Sequence, residues 1–227
     1  MHKIAVLLAA ASLGLSACAG PATAAEEAVN APAATRVAKE EKGLKTAVFA
    51  GGCFWGVEGV FSHVKGVTGV VSGYHGGTKA SARYDVVSSG VTDHAEAVKV
   101  TYDPSVVRYD QLLRIFFSVV ADPTLKNRQG PDVGTQYRSA LVPVNAEQTA
   151  VAKAYLAQLG KSGLWKKPIA TKIEPYKAFY AAESYHQDFM LNNPKHGYIL
   201  RWDAPKVAAF KKMFPSFYRA SFLKDAG

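Results

Sequence analysis

The most reactive side chain in this sequence is the thiol of Cys53, within the run Gly51-Gly52-Cys53-Phe54-Trp55-Gly56-Val57-Glu58. An apolar, partly β-branched run at 46–50 predicts a buried strand before it, and apolar positions at helical spacing from Val57 predict a helix after it. Cys53 then lies at a helix N-terminus, where unpaired N–H groups and the helix dipole favour the nucleophilic thiolate. Phe54 and Trp55 indicate a hydrophobic pocket beside the sulfur. The same features also fit a small cysteine buried in the core.

Residues 1–17 have the pattern of a secretory signal peptide. A short basic start is followed by an apolar run over 4–15 that is too short for a comfortable transmembrane helix. The next residues, Leu15-Ser16-Ala17-Cys18, resemble a bacterial lipobox, which implies cleavage before Cys18 and a lipid on its sulfur. Ordinary cleavage near 22–25 is the alternative and would remove Cys18. Either route predicts an exported protein in the periplasm or cell envelope.

Cysteine usage strengthens the interest in Cys53. Oxidising compartments select paired cysteines, so a single remaining thiol there indicates reactivity. A disulfide with Cys18 would require a long N-terminal arm to fold back. The histidines and the thiol lie far apart without ligand spacing, so no metal site is predicted. A pairing of Cys53 with His94 or His186 would suggest a cysteine hydrolase, but no oxyanion or third-residue pattern accompanies it.

The chain is basic, with a formal net charge of +9. The basic residues are spread along the chain, and one concentration of them is formed by Lys161, Lys166, Lys167, Lys206, Lys211 and Lys212. No nucleic-acid-binding motif accompanies these residues, which indicates a solvated face and no nucleic-acid partner. Contact with a membrane is expected only through a lipid anchor at Cys18.

Residues 18–44 are rich in Ala, Glu and Pro and lack apolar periodicity, which predicts a lipid-anchored or flexible linker. One domain is predicted over 45–227. Its patterns favour strands at 46–50, 67–74, 84–88, 94–102, 135–144 and 170–174. They favour helices at 57–64, 109–120, 180–191 and 204–214. A further helix is predicted from the N-cap Asn145, with Gln148 as its capping-box partner, to a C-terminal stop at Gly160. This alternation predicts an α/β or α+β fold with a mixed sheet.

Several motifs together resemble the A-type peptide methionine sulfoxide reductases. They are Gly52-Cys53-Phe54-Trp55-Gly56-Val57-Glu58, Ser72-Gly73-Tyr74, His94-Ala95-Glu96-Ala97-Val98, Tyr102-Asp103-Pro104, Gly134-Thr135-Gln136-Tyr137-Arg138-Ser139 and Ala182-Glu183-Ser184-Tyr185-His186-Gln187. The resemblance, over roughly 45–195, implies an α+β sandwich whose mixed sheet has a ferredoxin-like βαβ core and flanking helices. It also implies an oxidoreductase that repairs oxidised proteins by reducing the S epimer of methionine sulfoxide, protein-bound or free. We expect a monomer.

The resemblance also implies chemical roles for particular side chains. Cys53 is expected to attack the sulfoxide sulfur and to become a sulfenic acid. Glu96 lies in an apolar strand where an unpaired charge is costly, so it is the expected proton donor in its neutral form. Tyr84 and Tyr137 are expected to donate hydrogen bonds to the sulfoxide oxygen. On sequence alone, all three of these partners of Cys53 also fit ordinary strand or core positions.

Three further residues complete the expected site. Asp132 matches a family position that holds the site's water and backbone network. Phe54 and Trp55 are expected to clasp the ε-methyl group of the substrate, which distinguishes oxidised methionine from bulkier sulfoxides. The loop around Asp132 departs from the family, since Val133 stands where histidine is common.

The C-terminal residues depart from the family in a way that affects the mechanism. Many members carry one or two further cysteines there, which convert the sulfenic acid into a disulfide, whereas 195–227 contains none. Gly197 and Tyr198 stand where a resolving cysteine often follows. We therefore expect a one-cysteine enzyme without a bound cofactor, regenerated by an external thiol that is thioredoxin-like, glutaredoxin-like or small. The alternative is a non-catalytic, tethered module that binds oxidised, methionine-rich proteins.

Overall fold

A six-stranded mixed sheet forms the centre of the computed structural model, which describes residues 27–224. The predicted signal peptide and Cys18 lie outside the described residues. The strands are β1 (Lys45–Gly51), β2 (Val67–His75), β3 (Ala95–Tyr102), β4 (Arg128–Gln129), β5 (Asp132–Val133), β6 (Ser139–Val142), β7 (Lys172–Ile173) and β8 (Phe179–Ala181). The strands β4 and β5 pair only with each other, as a small separate hairpin.

Six α-helices accompany these strands within the described residues. They are α1 (Phe54–Ser62), α2 (Tyr84–Val87), α3 (Tyr109–Ile115), α4 (Ala146–Lys161), α5 (Phe189–Asn192) and α6 (Ala204–Met213). Short 3₁₀ turns occur at Lys79–Ser81, Thr135–Tyr137 and Ser184–His186, and π-helical turns occur at Phe116–Val120 and Ile199–Asp203. Over residues 27–224, no helix combines the length and the apolar character needed to cross a membrane.

The strand order of the sheet is β7-β6-β1-β3-β2-β8. Every neighbouring pair is antiparallel except β6 and β7, which run parallel. Both β1 and β2 are antiparallel to the strand between them, so they run in the same direction and α1 crosses over from one to the other. With α3 placed between β3 and β6 along the chain, the four central strands form a ferredoxin-like unit. The predicted α+β class with a ferredoxin-like core is confirmed.

Alternation along the central strands divides the core into two layers. On one face of β1, Phe49 is fully buried and its ring lies 4.9 Å from that of Phe61 and 5.3 Å from that of Phe116. This face packs against the helices. The opposite face carries small side chains, such as Val48 and Ala50, in a smaller buried cluster. Because side chains of a strand point alternately to the two faces, the apolar run at 46–50 serves both layers.

Strong local signals predicted several elements correctly. The strands expected at 46–50, 67–74 and 94–102 and the helix expected at 204–214 are all present. Asn145 caps α4, since its side-chain oxygen accepts a hydrogen bond of 2.8 Å from the backbone of Gln148. The side chain of Gln148 accepts a hydrogen bond from the backbone N–H of Val144, rather than from that of its predicted partner Asn145. The predicted stop at Gly160 is wrong by a residue or two, because the helix extends through Lys161.

Two predicted elements have a different structure. Residues 84–88, expected as a strand, instead contain the short helix α2 (Tyr84–Val87), whose first backbone N–H donates to the carboxylate of Glu183 at 2.9 Å. The helix expected over 180–191 is divided into strand β8, a 3₁₀ turn and α5. Gly73 on β2 pairs with Ala181, and Asp188 has a left-handed backbone with φ 53°, which interrupts the helix.

The segment 27–44 differs from the expected flexible linker. Ala31 and Ala38 are buried, and the backbone N–H of Ala31 donates to the hydroxyl of Ser118 at 3.1 Å. The hydroxyl of Tyr155 donates to the carbonyl of Pro32 at 2.7 Å. Small side chains allow this irregular segment to lie closely along the helical layer, an arrangement that composition alone does not indicate. Residues 18–26 lie outside the described residues, so the linker there stays a prediction.

Phe49→Ala is expected to lower the free energy of unfolding by about 3–5 kcal/mol, because it removes a ring enclosed by three other rings. Urea unfolding measures this change as a lower midpoint at an unchanged slope. The control Val91→Ala alters a side chain that is 81% exposed, and its effect should stay within about 0.5 kcal/mol. Equal effects of the two substitutions would contradict the assignment of Phe49 to the core.

Candidate active site

Cys53 occupies the junction between β1 and α1, as the sequence predicts. It is the N-cap residue of the helix and a half-buried free thiol. The preceding Gly52 has φ 88°, and a Cβ atom there would lie 2.5 Å from the side chain of Gln129. Glycine is therefore required on both conformational and steric grounds. This turn delivers the sulfur to the N-terminal end of the helix.

The electrostatic surroundings of Cys53 differ from the simple expectation for a helix N-terminus. Burial raises the pKa of its thiol well above the ordinary value, and the charges of Glu96, Asp203 and Asp132 raise it further. The backbone N–H of Trp55 acts in the opposite direction but is outweighed. In the protein without substrate, the sulfur is therefore a protonated thiol at neutral pH. The backbone at the start of the helix acts in the predicted direction, but burial and then the nearby carboxyl groups outweigh it.

Glu96 lies on β3 and is almost completely buried, with 1% of its surface exposed. Its carboxyl oxygen Oε2 accepts a hydrogen bond of 3.0 Å from the backbone N–H of Phe54, the first residue of α1. Burial raises the pKa of Glu96 to about 8, against the effect of this bond, and Asp132 and Asp203 add to the rise. The carboxyl group is therefore mostly protonated at neutral pH and can donate a proton.

Tyr84 and Tyr137 approach this centre from two different segments. Tyr84 begins α2, and Tyr137 ends a 3₁₀ turn just before β6. Burial, followed by the charge of Glu96, raises the pKa of Tyr84 to about 12 and that of Tyr137 still further. The charge of Cys53 acts on both phenols as well. Both hydroxyls thus stay protonated and available as hydrogen-bond donors near the thiol and the carboxyl group.

Asp132 reaches the same centre from β5. Burial raises the pKa of this partly buried carboxyl group, while a hydrogen bond from Tyr198 and the charge of Lys206 act against the rise. Its charge in turn raises the pKa values of Cys53 and Glu96. The loop that contains Asp132 therefore supplies a side chain to the group around Cys53.

The two aromatic residues after the cysteine occupy different environments. Phe54 is buried, with its ring 5.0 Å from that of His186 and 6.0 Å from that of Tyr74. Trp55 is only half-buried and stacks on Phe189 with ring centres 3.7 Å apart. Trp55 is therefore the ring with surface left for a bound molecule, and Phe54 forms the wall behind it.

The histidines have supporting positions. The indole N–H of Trp55 donates to Nδ1 of His186 at 3.2 Å, and the ring of His186 lies 4.3 Å from that of Tyr84. Burial lowers the pKa of His186, so it is neutral. His94 instead contacts the loop at Gly77 and Thr78. Neither contact pattern resembles a cysteine–histidine dyad, and over residues 27–224 no group of His, Cys, Asp and Glu is arranged to hold a metal ion.

The structure adds two residues that sequence reasoning missed, both from the C-terminal segment. The hydroxyl of Tyr198 donates a hydrogen bond to Asp132, and its ring lies 5.9 Å from that of Trp55. Asp203 is 1% exposed, and a Cβ atom at Gly56 would collide with its carboxylate, so this group lies against the first turn of α1. No sequence signal reveals them, because the segment begins more than 130 residues after Cys53.

A cavity of about 880 Å³ lies away from Cys53 and is lined by His75, Arg138 and Glu174 among others. Its strongest polar groups are already paired, since the guanidinium of Arg138 binds Glu174 through hydrogen bonds of 2.7 and 3.0 Å. None of the expected site residues lines it. The chemistry is therefore assigned to the group around Cys53 rather than to this cavity.

Residues 45–217 match the protein-family model described as peptide methionine sulfoxide reductase. The chain is similar to the peptide methionine sulfoxide reductase MsrA 2 of Mesorhizobium japonicum, with 55% identity over 79% of this chain and 92% of that protein. It is similar to the MsrA 2 of Synechocystis, with 50% identity over 81% and 86% of the two chains.

Solved structures of methionine sulfoxide reductases are also similar to this chain. The methionine sulfoxide reductase A of Corynebacterium diphtheriae shares 30% identity, with a TM-score of 0.57 over 75% of this chain and 88% of that chain. The reduced form of Mxr1 from Saccharomyces cerevisiae shares 34% identity, with a TM-score of 0.57 over 70% and 91%. The similarity therefore extends from sequence to fold.

Glu96→Gln is expected to remove a pH dependence of stability. Because the folded pKa of Glu96 is about 8 and its ordinary value is 4.5, its contribution is complete below pH 4.5 and is lost as the pH rises through 8. The variant should therefore gain stability over the unsubstituted protein between pH 5 and 9, by up to a few kcal/mol at about 1.4 kcal/mol per pKa unit. Urea unfolding at pH 5, 7 and 9 measures the difference.

Glu41→Gln is the matched control for this experiment, because it makes the same change at an exposed position. Its stability relative to the unsubstituted protein should not vary with pH. A Glu96→Gln difference that is constant from pH 5 to 9 would show that the carboxyl group of Glu96 titrates normally in the folded protein.

Proposed function

Because this chain belongs to the peptide methionine sulfoxide reductase family and is an enzyme that reduces methionine sulfoxide, we propose that Cys53 is its nucleophile and Glu96 its proton donor. The observation that carries this proposal is the buried carboxyl group of Glu96. It accepts a hydrogen bond from the backbone N–H of Phe54, the residue that follows Cys53. A neutral acid and a sulfur nucleophile side by side are what the removal of a sulfoxide oxygen requires.

The oxygen moves from the substrate to the enzyme in a balanced step. The sulfur of Cys53 attacks the sulfoxide sulfur while Glu96 protonates the oxygen, and the thiol proton of Cys53 restores the proton on Glu96. The attack forms a sulfur–sulfur bond between Cys53 and the substrate. This bond and the sulfur–oxygen bond of the substrate then break as the hydroxyl group moves to Cys53, where a new sulfur–oxygen bond forms. Methionine leaves with its sulfur reduced by two electrons, and Cys53 is left as a sulfenic acid.

The neighbouring aromatic residues orient the sulfoxide for this step. The hydroxyls of Tyr84 and Tyr137, kept protonated by their surroundings, are donors for the oxygen as negative charge develops on it. The half-buried indole of Trp55, with Phe54 behind it, offers an apolar surface to the methyl group. When the site fixes the oxygen, the methyl group and the rest of the substrate in three different directions around the sulfur, only one sulfoxide epimer fits. We propose that this is the S epimer.

The enzyme is proposed to return to its thiol state with an external reductant. The sequence has no cysteine after Cys53, so an external thiol attacks the sulfenic acid, forms a mixed disulfide and releases water. A second thiol then attacks this disulfide, restores the thiol of Cys53 and leaves as part of an oxidised disulfide. A thioredoxin-like protein, a glutaredoxin-like protein and a small thiol all supply this chemistry.

A single-turnover experiment tests the proposed roles. The reduced protein, incubated with each epimer of a methionine sulfoxide peptide and no reductant, should form one methionine per chain from the S epimer and gain one oxygen atom on Cys53. Mass spectrometry measures both products. Cys53→Ser should form none, and Glu96→Gln should be slower by about 10²–10⁴-fold, as for the loss of a general acid.

Comparison across pH separates the role of Glu96 from a general loss of structure. The unsubstituted protein should slow as the pH rises above about 8, where Glu96 loses its proton, and this alkaline decline should be missing in Glu96→Gln. Glu41→Gln should match the unsubstituted protein at every pH. Methionine formation by Cys53→Ser at an undiminished rate would disprove the proposal.

We propose further that the enzyme works in the cell envelope, held by a lipid on Cys18. The basic start, the apolar run over 4–15 and the lipobox-like residues before Cys18 support this. The full chain expressed in a bacterium should enter the membrane fraction and incorporate labelled palmitate, and Cys18→Ala should lose the label. Labelling that persists in Cys18→Ala, or unsubstituted protein without label, would contradict the lipid anchor.

A further inference from the structure

The C-terminal segment reaches the active site through Tyr198. The residue is half-buried, while the next residue, Ile199, is 1% exposed and fixes the segment in the core. Fixed in this way, the phenol ring of Tyr198 lies nearly perpendicular to the indole of Trp55, at an angle of 83° and a centroid distance of 5.9 Å. Edge-to-face contacts of this kind are favourable and directional.

The hydroxyl of Tyr198 makes a second contact, with a residue from a different segment. It donates a hydrogen bond to the Oδ2 atom of Asp132, on the loop strand β5. Lys206, on α6, also acts on Asp132 by lowering its pKa, against the effect of burial. The segment that begins at Tyr198 thus supplies both a hydrogen bond and a positive charge to one carboxylate.

Tyr198 thereby connects two parts of the site that are far apart in sequence. Trp55 belongs to the helix that begins at the reactive thiol, whereas Asp132 belongs to a loop hairpin of two short strands. Two-residue strands give such a hairpin little stability of its own. A bond from a residue anchored in the core therefore restricts where the Asp132 carboxylate can lie.

We propose that Tyr198 is a positioning residue of the reductase, which fixes the carboxylate of Asp132 and the indole of Trp55 around the bound sulfoxide. The inference rests on the proposed function of Cys53. The hydroxyl is the part that acts on Asp132, and the ring is the part that contacts Trp55. A phenylalanine at this position keeps the ring and removes only the bond to the carboxylate.

Tyr198→Phe is expected to slow the single-turnover formation of methionine about 10-fold, as for the loss of a hydrogen bond to a charged group. If Tyr198 acts through Asp132, the same substitution in an Asp132→Asn background should change the rate less than twofold. Tyr176→Phe is the control, because its ring lies against His75 outside the site, and it should not change the rate. Urea unfolding of each variant shows that it is folded.

Alkylation of Cys53 by iodoacetamide gives a second readout that needs no catalysis. The negative charge of Asp132 disfavours the Cys53 thiolate, and the loss of the Tyr198 bond raises the pKa of Asp132 and weakens that charge. Tyr198→Phe and Asp132→Asn should therefore both alkylate faster than the unsubstituted protein at the same pH, and the double variant should be no faster than Asp132→Asn alone.

The outcomes separate this inference from the proposed function. A Tyr198→Phe rate within twofold of the unsubstituted rate, or the same 10-fold loss in the Asp132→Asn background, overturns the positioning role. In either case, oxygen transfer to Cys53 in the unsubstituted protein remains intact. Failure of the proposed function instead appears as no oxygen transfer in the unsubstituted protein, whatever residue stands at 198.

Discussion

The buried hydrogen bond between the carboxyl group of Glu96 and the backbone N–H of Phe54 is the contact on which the rest of the site depends. It connects the central strand β3 to the first residue of α1. Along β3, Glu96 shares a face with Val98 and Val100, both fully buried, and so points towards the helical layer. A shift of one residue in strand pairing would turn Glu96 to the opposite face and separate it from the thiol.

Burial and the neighbouring carboxyl groups, among them the proposed proton donor Glu96, suppress the thiolate of Cys53. Burial raises the pKa of Cys53 most, and Glu96, Asp203 and Asp132 raise it further, so the resting sulfur is a thiol that oxidants and alkylating agents attack slowly. In the proposed mechanism a bound sulfoxide changes this balance, because its oxygen takes a proton from Glu96, which then accepts the proton of the thiol. On that proposal the site depends on a proton passed between Cys53 and Glu96 rather than on a permanently activated sulfur.

Local sequence signals predicted the parts of the fold that depend on neighbouring residues. The glycine turn before Cys53 and the cap at Asn145 rest on short-range chemistry, and both are present. The strand expected at 84–88 was wrong, because the segment begins a short helix whose first N–H, that of Tyr84, donates to the carboxylate of Glu183. Alternation and turn residues carry no information about a partner so remote in the sequence.

The grouping of the candidate site residues was predictable to a similar extent, and the resemblance to a family supplied most of it. Cys53, Glu96, Tyr84 and Tyr137 lie close enough for the charges of Cys53 and Glu96 to raise the pKa values of both tyrosines, as expected for residues of one site. The supporting contacts could not be predicted, because they join residues that are remote along the chain. Trp55 and His186, for example, are 131 positions apart, and their hydrogen bond depends on how β8 and the following turn pack.

The C-terminal segment shows how packing determines the chemistry that remains possible. A resolving cysteine must leave its resting position to reach a sulfenic acid, which requires a segment that opens at little cost. Here the residue after Gly197 and Tyr198 is Ile199, which is buried, and Asp203 and Phe210 that follow are buried as well. Each buried aliphatic or aromatic side chain adds about 1.5–3 kcal/mol to the cost of lifting the segment away. Such a segment is suited to form a fixed wall of the site, which agrees with the proposed use of an external reductant.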